Sequence, residues 1–166
     1  MQICIFGKGG LNFNVRNNTE VVAFSMDFSS VTVTFFIHST EDETRLMSLV
    51  EERLGLEPAE ISKVTVAGYF GNEIISVRSH IIGSKAQVAA NRIVSQLSSV
   101  ARSSILSEIE RSLDEHDSLY LRLDRQSLQD SSLSISDEEP IRIKLKPKSR
   151  YGGRVSMKEQ YEELIR

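Results

Sequence analysis

Residues 140–150 read PIRIKLKPKSR, and the alternation inside that stretch decides the fold class. In a β-strand, residues two apart share a face. Ile141, Ile143 and Leu145 then form one apolar row, and Arg142, Lys144 and Lys146 form a cationic row on the opposite side. Such a strand needs a hydrophobic layer beneath it and water or a polyanion above it, so it belongs to a sheet covered on one face only. Same-face side chains stand about 6.5–7 Å apart, a step comparable with that between neighbouring phosphates of a nucleic-acid strand. Pro147 has no N–H and ends the ladder, after which Lys148, Arg150 and Arg154 carry the charge onward. The same composition also suits a solvated edge strand, which uses lysines and prolines to avoid pairing with other chains.

Working outward, residues 118–124 (SLYLRLD) alternate in the same way. Leu119, Leu121 and Leu123 point to one side, and Tyr120, Arg122 and Asp124 to the other. Residues 31–38 (VTVTFFIH) place Val31, Val33, Phe35 and Ile37 on one face. Thr40 and Glu43 have the spacing of a capping box, which predicts a helix to about Leu54 with Gly55 as its stop. Residues 61–68 and 72–82 read as two strands joined through TyrPheGlyAsn, where Gly71 and Asn72 tolerate the backbone of a tight hairpin. Ser84 and Gln87 suggest a second capping box, ahead of a stripe of Ala86, Ala89, Ala90, Ile93, Leu97 and Val100. Ile105, Ile109 and Leu113 mark a further helix, and 127–138 (SLQDSSLSISDE) reads as a serine-rich loop opening on a turn of helix. Strands pair through hairpins as well as crossovers. The predicted fold is therefore α+β: a mainly antiparallel or mixed sheet with helices packed on one face, a two-layer sandwich.

The 166 residues are 40% hydrophobic and 26% charged, with a formal net charge of −3. A polyanion partner must then be read from local charge. A single cysteine, Cys4, excludes a disulfide framework and a thiolate metal cluster. The apolar run Ile3–Phe6 is too short for a signal-peptide core, which leads to an expected cytoplasmic location. The chain divides into an N-terminal extension at 1–29, an α+β domain at 30–150, and a GlyGly hinge with a short helix at 151–166.

Four stretches, in order, resemble one family: HisSerThrGluAspGlu (38–43), GlyTyrPheGlyAsn (68–72), LeuTyrLeuArgLeuAspArgGln (119–126) and IleArgIleLysLeuLys (141–146). The chain is similar over about residues 30–150 to archaeal exosome-linked RNA-binding proteins. Their fold is likened to double-stranded-RNA-binding domains and to the ribosomal protein that binds 5S RNA. The resemblance implies RNA binding and association with RNA-processing proteins. Residues 1–29 have no counterpart in it, and it implies Met26 as a candidate native start. Tyr69 and Phe70 stand where a more polar pair is expected.

The residues add a mode. Tyr120 is the one aromatic on the two strands of the basic patch, so stacking that reads splayed bases is not expected. Phosphate and 2′-hydroxyl contacts to structured or double-stranded RNA, with low sequence preference, fit better. Expected contacts are Arg142, Lys144, Lys146 and Lys148, then Arg122, Arg150 and Arg154, with Arg78 joining if its face agrees. The alternative is a protein-interaction module or assembly factor, in which Tyr161, Leu164 and Ile165 dock a partner.

No cofactor and no catalysis are expected. PheGlyLysGlyGlyLeu (6–11) lacks the Ser or Thr that a phosphate-binding loop places after its lysine. His38, His80 and His116 show no metal-ligand spacing. Asp114, Glu115 and Asp117 suit a polar turn, Asp124 a cap or salt bridge, and Glu41, Asp42 and Glu43 a helix N-terminus. A metal-dependent hydrolase is the remaining, weaker alternative.

Overall fold

The computed structural model describes residues 26–148 and 155–166. Five strands, β1 (Phe28–His38), β2 (Ile61–Ala67), β3 (Glu73–Ile82), β4 (Leu119–Leu123) and β5 (Ile141–Pro147), form one sheet in the order β2-β3-β1-β5-β4. Every neighbouring pair is antiparallel. Helices α1 (Glu43–Leu54), α2 (Gly83–Ser95), α3 (Ser99–Ser107), α4 (Ile109–Ser112) and α5 (Met157–Ile165) supply the second layer. Among the described residues, no helix is long and apolar enough to cross a membrane.

The strands bury one face, as their alternation requires. Val31, Val33, Phe35 and Ile37 of β1, Ile141, Ile143 and Leu145 of β5, and Leu119, Leu121 and Leu123 of β4 are all buried. They meet Leu46, Val50 and Leu54 of α1 and Ala86, Ala90 and Ile93 of α2. Each large side chain buried this way contributes about 1.5–3 kcal/mol. The alanines let α2 lie close over β1, the central strand. β1 itself starts three residues before Val31, and Met26 and Phe28 are buried with it.

Helix starts depart from the expected capping boxes. Glu41 N–H donates to the His38 carbonyl at 2.9 Å, so residues 38–41 form a turn and α1 cannot begin at Thr40. Asp42 caps instead, its Oδ1 accepting from Arg45 N–H at 3.0 Å. Ser84 makes no cap, because α2 starts at Gly83 without one. Gln87 is occupied elsewhere: its Oε1 accepts from Phe28 N–H at 2.8 Å and its Nε2 donates to the Met26 carbonyl at 3.1 Å. It thereby satisfies the backbone entering β1. Gly55 ends α1 as expected, with φ 72°.

The stripe extending to Val100 is not one helix. α2 stops at Ser95, and the backbone of Leu133 inserts there, donating to the Gln96 carbonyl at 2.7 Å and accepting from Ser98 N–H at 2.9 Å. Ser98 then caps α3, which leaves Val100 74% exposed. The serine-rich stretch is accordingly an ordered hairpin connection from β4 to β5. It opens on a turn of 3-10 helix (Gln126–Gln129), buries Leu128 and Leu133, and pairs Ile135 with Leu123 along the outer edge of β4.

The terminal helix has both halves of a Ser156–Glu159 capping box. Its apolar side belongs to this chain's own core: Tyr161 and Ile165 are fully buried. The Tyr161 ring lies 6.3 Å from that of Phe28, and its hydroxyl lies 3.0 Å from the Asp117 carbonyl and 3.2 Å from that of Leu145. Leu164 is partly buried against the same core. The hinge at 152–153 and residues 1–25 of the extension at 1–29 lie outside the described residues.

Candidate nucleic-acid interface

Among the described residues no helix covers the second face of the sheet, and the pairing registers lay its side chains out in rows. Arg122 of β4 faces Arg142 of β5, which faces Thr34 of β1, which faces Arg78 of β3. The next row runs Tyr120, Lys144, Thr32, His80. A third joins Lys146, Ser30 and Ile82. Strands about 4.8 Å apart bring these groups into one patch. Arg78 therefore does share the face of Arg142 and Arg122.

The cations differ in how far they are already satisfied. Arg122 Nη1 lies 2.6 Å from Asp137 Oδ1, and Lys144 Nζ lies 2.9 Å from Asp114 Oδ2. Lys144 also sits 4.9 Å from the Tyr120 ring centroid. The Tyr120 hydroxyl, with the Asp114 carboxylate, holds the Lys144 ammonium above the ordinary lysine value. Partial burial pushes the Asp114 carboxyl up, but Lys144 and the backbone N–H groups of Ser118 and His116 outweigh it and keep it well below the usual carboxylate range. Acids from the two loops flanking β4 thus neutralise Lys144 of β5, one of the first-ranked contacts, and Arg122 of β4, one of the second-ranked. Among the described residues, Arg78, Arg142, Lys146 and Lys148 have no ion-pair partner. All four are exposed. Lys148 lies just past β5, its N–H donating to the Asp27 carbonyl at 2.8 Å. Arg150 and Arg154 fall outside the described residues.

The remaining polar groups have structural roles. Asp114 Oδ1 accepts from His116 N–H at 2.9 Å and Ser118 N–H at 2.8 Å, which closes the turn before β4. Asp124 Oδ1 accepts from Gln126 N–H at 3.0 Å. Glu41 accepts from His38 N–H at 2.8 Å and from Arg125 Nη1 at 2.5 Å. Burial raises the Glu41 carboxyl, but those two donors prevail and hold it below its usual value. One exposed side chain escaped the reading of the basic strands: Phe36, 46% exposed on the same open face. Its signal was present, because burying Phe35 and Ile37 turns Phe36 outward.

A family model described as RNA binding matches residues 30–147. The chain belongs to this RNA-binding family. In this member, the matched segment holds nearly all of the sheet, including Arg78, Arg122, Arg142, Lys144 and Lys146, and leaves out α5. The chain is 25% identical to RNA-binding protein PAB1135 of Pyrococcus abyssi, over 77% of this chain and 87% of that protein. Among solved structures it is similar to protein AF2318 from Archaeglobus fulgidus, with 25% identity and a TM-score of 0.65, over 84% of this chain and 99% of that one. The DUF54 protein Mth689 from Methanothermobacter thermautotrophicus, 19% identical with a TM-score of 0.66 over 86% and 100% of the two chains, shares the fold of this RNA-binding family member.

Proposed function

We propose that this protein binds structured RNA through its open sheet face, contacting phosphates and 2′-hydroxyls with little sequence preference and without turning the RNA over. The exosome-linked, RNA-processing role implied by the family resemblance is part of the same proposal. The observation that carries it is the set of four cations, Arg78, Arg142, Lys146 and Lys148, that among the described residues have no ion-pair partner and lie on a face covered by no helix. Cations left without acids in a chain of net charge −3 match a partner that brings its own negative charge. The hydroxyls of Thr32 and Thr34 between them suit sugar and phosphate oxygens.

The test is fluorescence anisotropy on an RNA duplex of about 16 base pairs, at several salt concentrations. The variant replaces Arg78, Arg142 and Lys146 by alanine. Its affinity should fall at least tenfold at low salt, and the slope of log affinity against log salt should flatten by about two to three. The circular dichroism should stay unchanged, since all three side chains stand in water. Equal affinity at low salt would refute the assignment.

A further inference from the structure

The open face has a step in it. The β1–β5 ladder ends where Thr34 meets Arg142, because Pro140 precedes β5 and has no N–H to continue the pairing. β1 runs on past that point, so Phe36 pairs with Ser76 of β3 on one side and has no β5 residue on the other. A cleft of about 110 Å³ opens there, lined by Phe36, Pro140, Thr34, Ser76, His38 and Arg142 among others. That volume is far below the 300–1,000 Å³ or so of a drug-sized site. It suits part of one planar ring.

The surroundings define the ring's chemistry. Phe36 offers a half-exposed aromatic face, and Pro140 an apolar wall. Thr34 and Ser76 contribute hydroxyls to the lining, which also includes Glu139, whose Oε1 lies 3.1 Å from His38 Nε2. Arg142 on β5 and Arg78 on β3 both oppose Thr34, so each is a diagonal neighbour of Phe36, one on either side. Diagonal neighbours are about 7–8 Å apart, within reach of long side chains. The unit is cation, aromatic, cation, and neither cation has an acidic partner among the described residues. A nucleotide chain presents the complement: phosphate, base, phosphate.

We infer that this cleft takes one unpaired base of the bound RNA, stacked on Phe36, with the flanking phosphates on Arg142 and Arg78. The inference rests on the RNA-binding reading and refines its substrate to a helix interrupted by a bulge or ending in an overhang. The base must be unpaired, since one in a duplex keeps its faces stacked on its neighbours. Stacking also accepts any base, so the site adds structural selectivity without adding sequence selectivity.

Two RNAs distinguish the claims: a blunt duplex of about 16 base pairs, and the same duplex with one central unpaired 2-aminopurine. The wild-type protein should bind the bulged RNA about tenfold more tightly, the scale of one stacked base, and quench the 2-aminopurine fluorescence. Phe36→Leu keeps a side chain of strand-compatible shape but no π face. It should abolish both the preference and the quenching, while blunt-duplex affinity and the melting temperature stay unchanged. Equal binding of the two RNAs by the wild type overturns the base site and leaves the broader reading standing. So does a Phe36→Leu variant that keeps the preference. A Phe36→Leu variant that changes self-association and leaves RNA binding untouched overturns it too, in favour of a protein contact. If neither RNA binds at low salt, the broader reading fails and the base site with it.

Discussion

Asp137 is the clearest single residue with which to test how the face is tuned. It is exposed, it sits in the connection between β4 and β5, and its one described partner is Arg122 at 2.6 Å. Surface pairs of this kind contribute about 0–1 kcal/mol to stability, so losing it should scarcely affect folding. It does, however, hold a carboxylate beside cations that would otherwise meet phosphate. Asp137→Ala should therefore raise affinity for duplex RNA by several-fold at low salt and steepen the salt dependence by about one. Reduced affinity, measured by the same anisotropy titration, would mean that Asp137 positions Arg122 and does not compete for it. The opposed pair Arg122–Arg142 makes the first outcome the expected one. Like charges directly across two strands are unfavourable, and Asp137 relieves that repulsion until a polyanion can.

At the scale of elements, the alternating strands were legible and the connections were not. VTVTFFIH, SLYLRLD and IRIKLK each carry a period of two that only a half-covered sheet satisfies, and all three lie as that period demands. The rows of the basic face were less legible. Alternation says which way Arg78 and Arg142 point along their own strands, whereas their meeting across Thr34 depends on register and strand order. The first cap was misplaced because a local turn over residues 38–41 moves it to Asp42, and the second because Gln87 bonds to the distant backbone of Met26 and Phe28, which local spacing does not contain. The neutralisation of Lys144 by Asp114 is a contact across 30 residues, invisible for the same reason. The terminal helix allows a direct test. Tyr161→Ala should cost about 3–5 kcal/mol, as for other large aromatic truncations, and Tyr161→Phe only about 1 kcal/mol for the lost hydrogen bond. Urea unfolding measures both. A neutral Tyr161→Ala would show that α5 does not hold to the core in solution.

Arg78, Arg122, Arg142, Lys144 and Lys146 share one sheet face whose paired rows hold no acidic residue, which is how a chain of net charge −3 presents a cationic face. Two carboxylates outside those rows bear on acid stability. Asp114 and Glu41 are held below their ordinary values in the fold. The stability they confer is complete above the unfolded carboxylate values near about 4. It is lost as pH falls from there through the folded values. Asp114→Asn should be less stable than wild type at pH 7, and the gap should close as pH drops below about 4. Thermal melts from neutral to acid pH decide the matter. A gap that stays constant would mean that the Asp114 carboxylate owes nothing to its charge.

The two prolines that bracket β5 have a consequence for association. Neither Pro140 nor Pro147 can donate a ladder hydrogen bond, so each removes a donor at one end of the strand and penalises a shift of register. A slide of one residue would bury Arg142, Lys144 and Lys146 and expose Ile141, Ile143 and Leu145. The spacing of the charges is thus fixed before any ligand arrives, like the marks on a ruler. The backbone beneath them has no ordering entropy left to lose on contact.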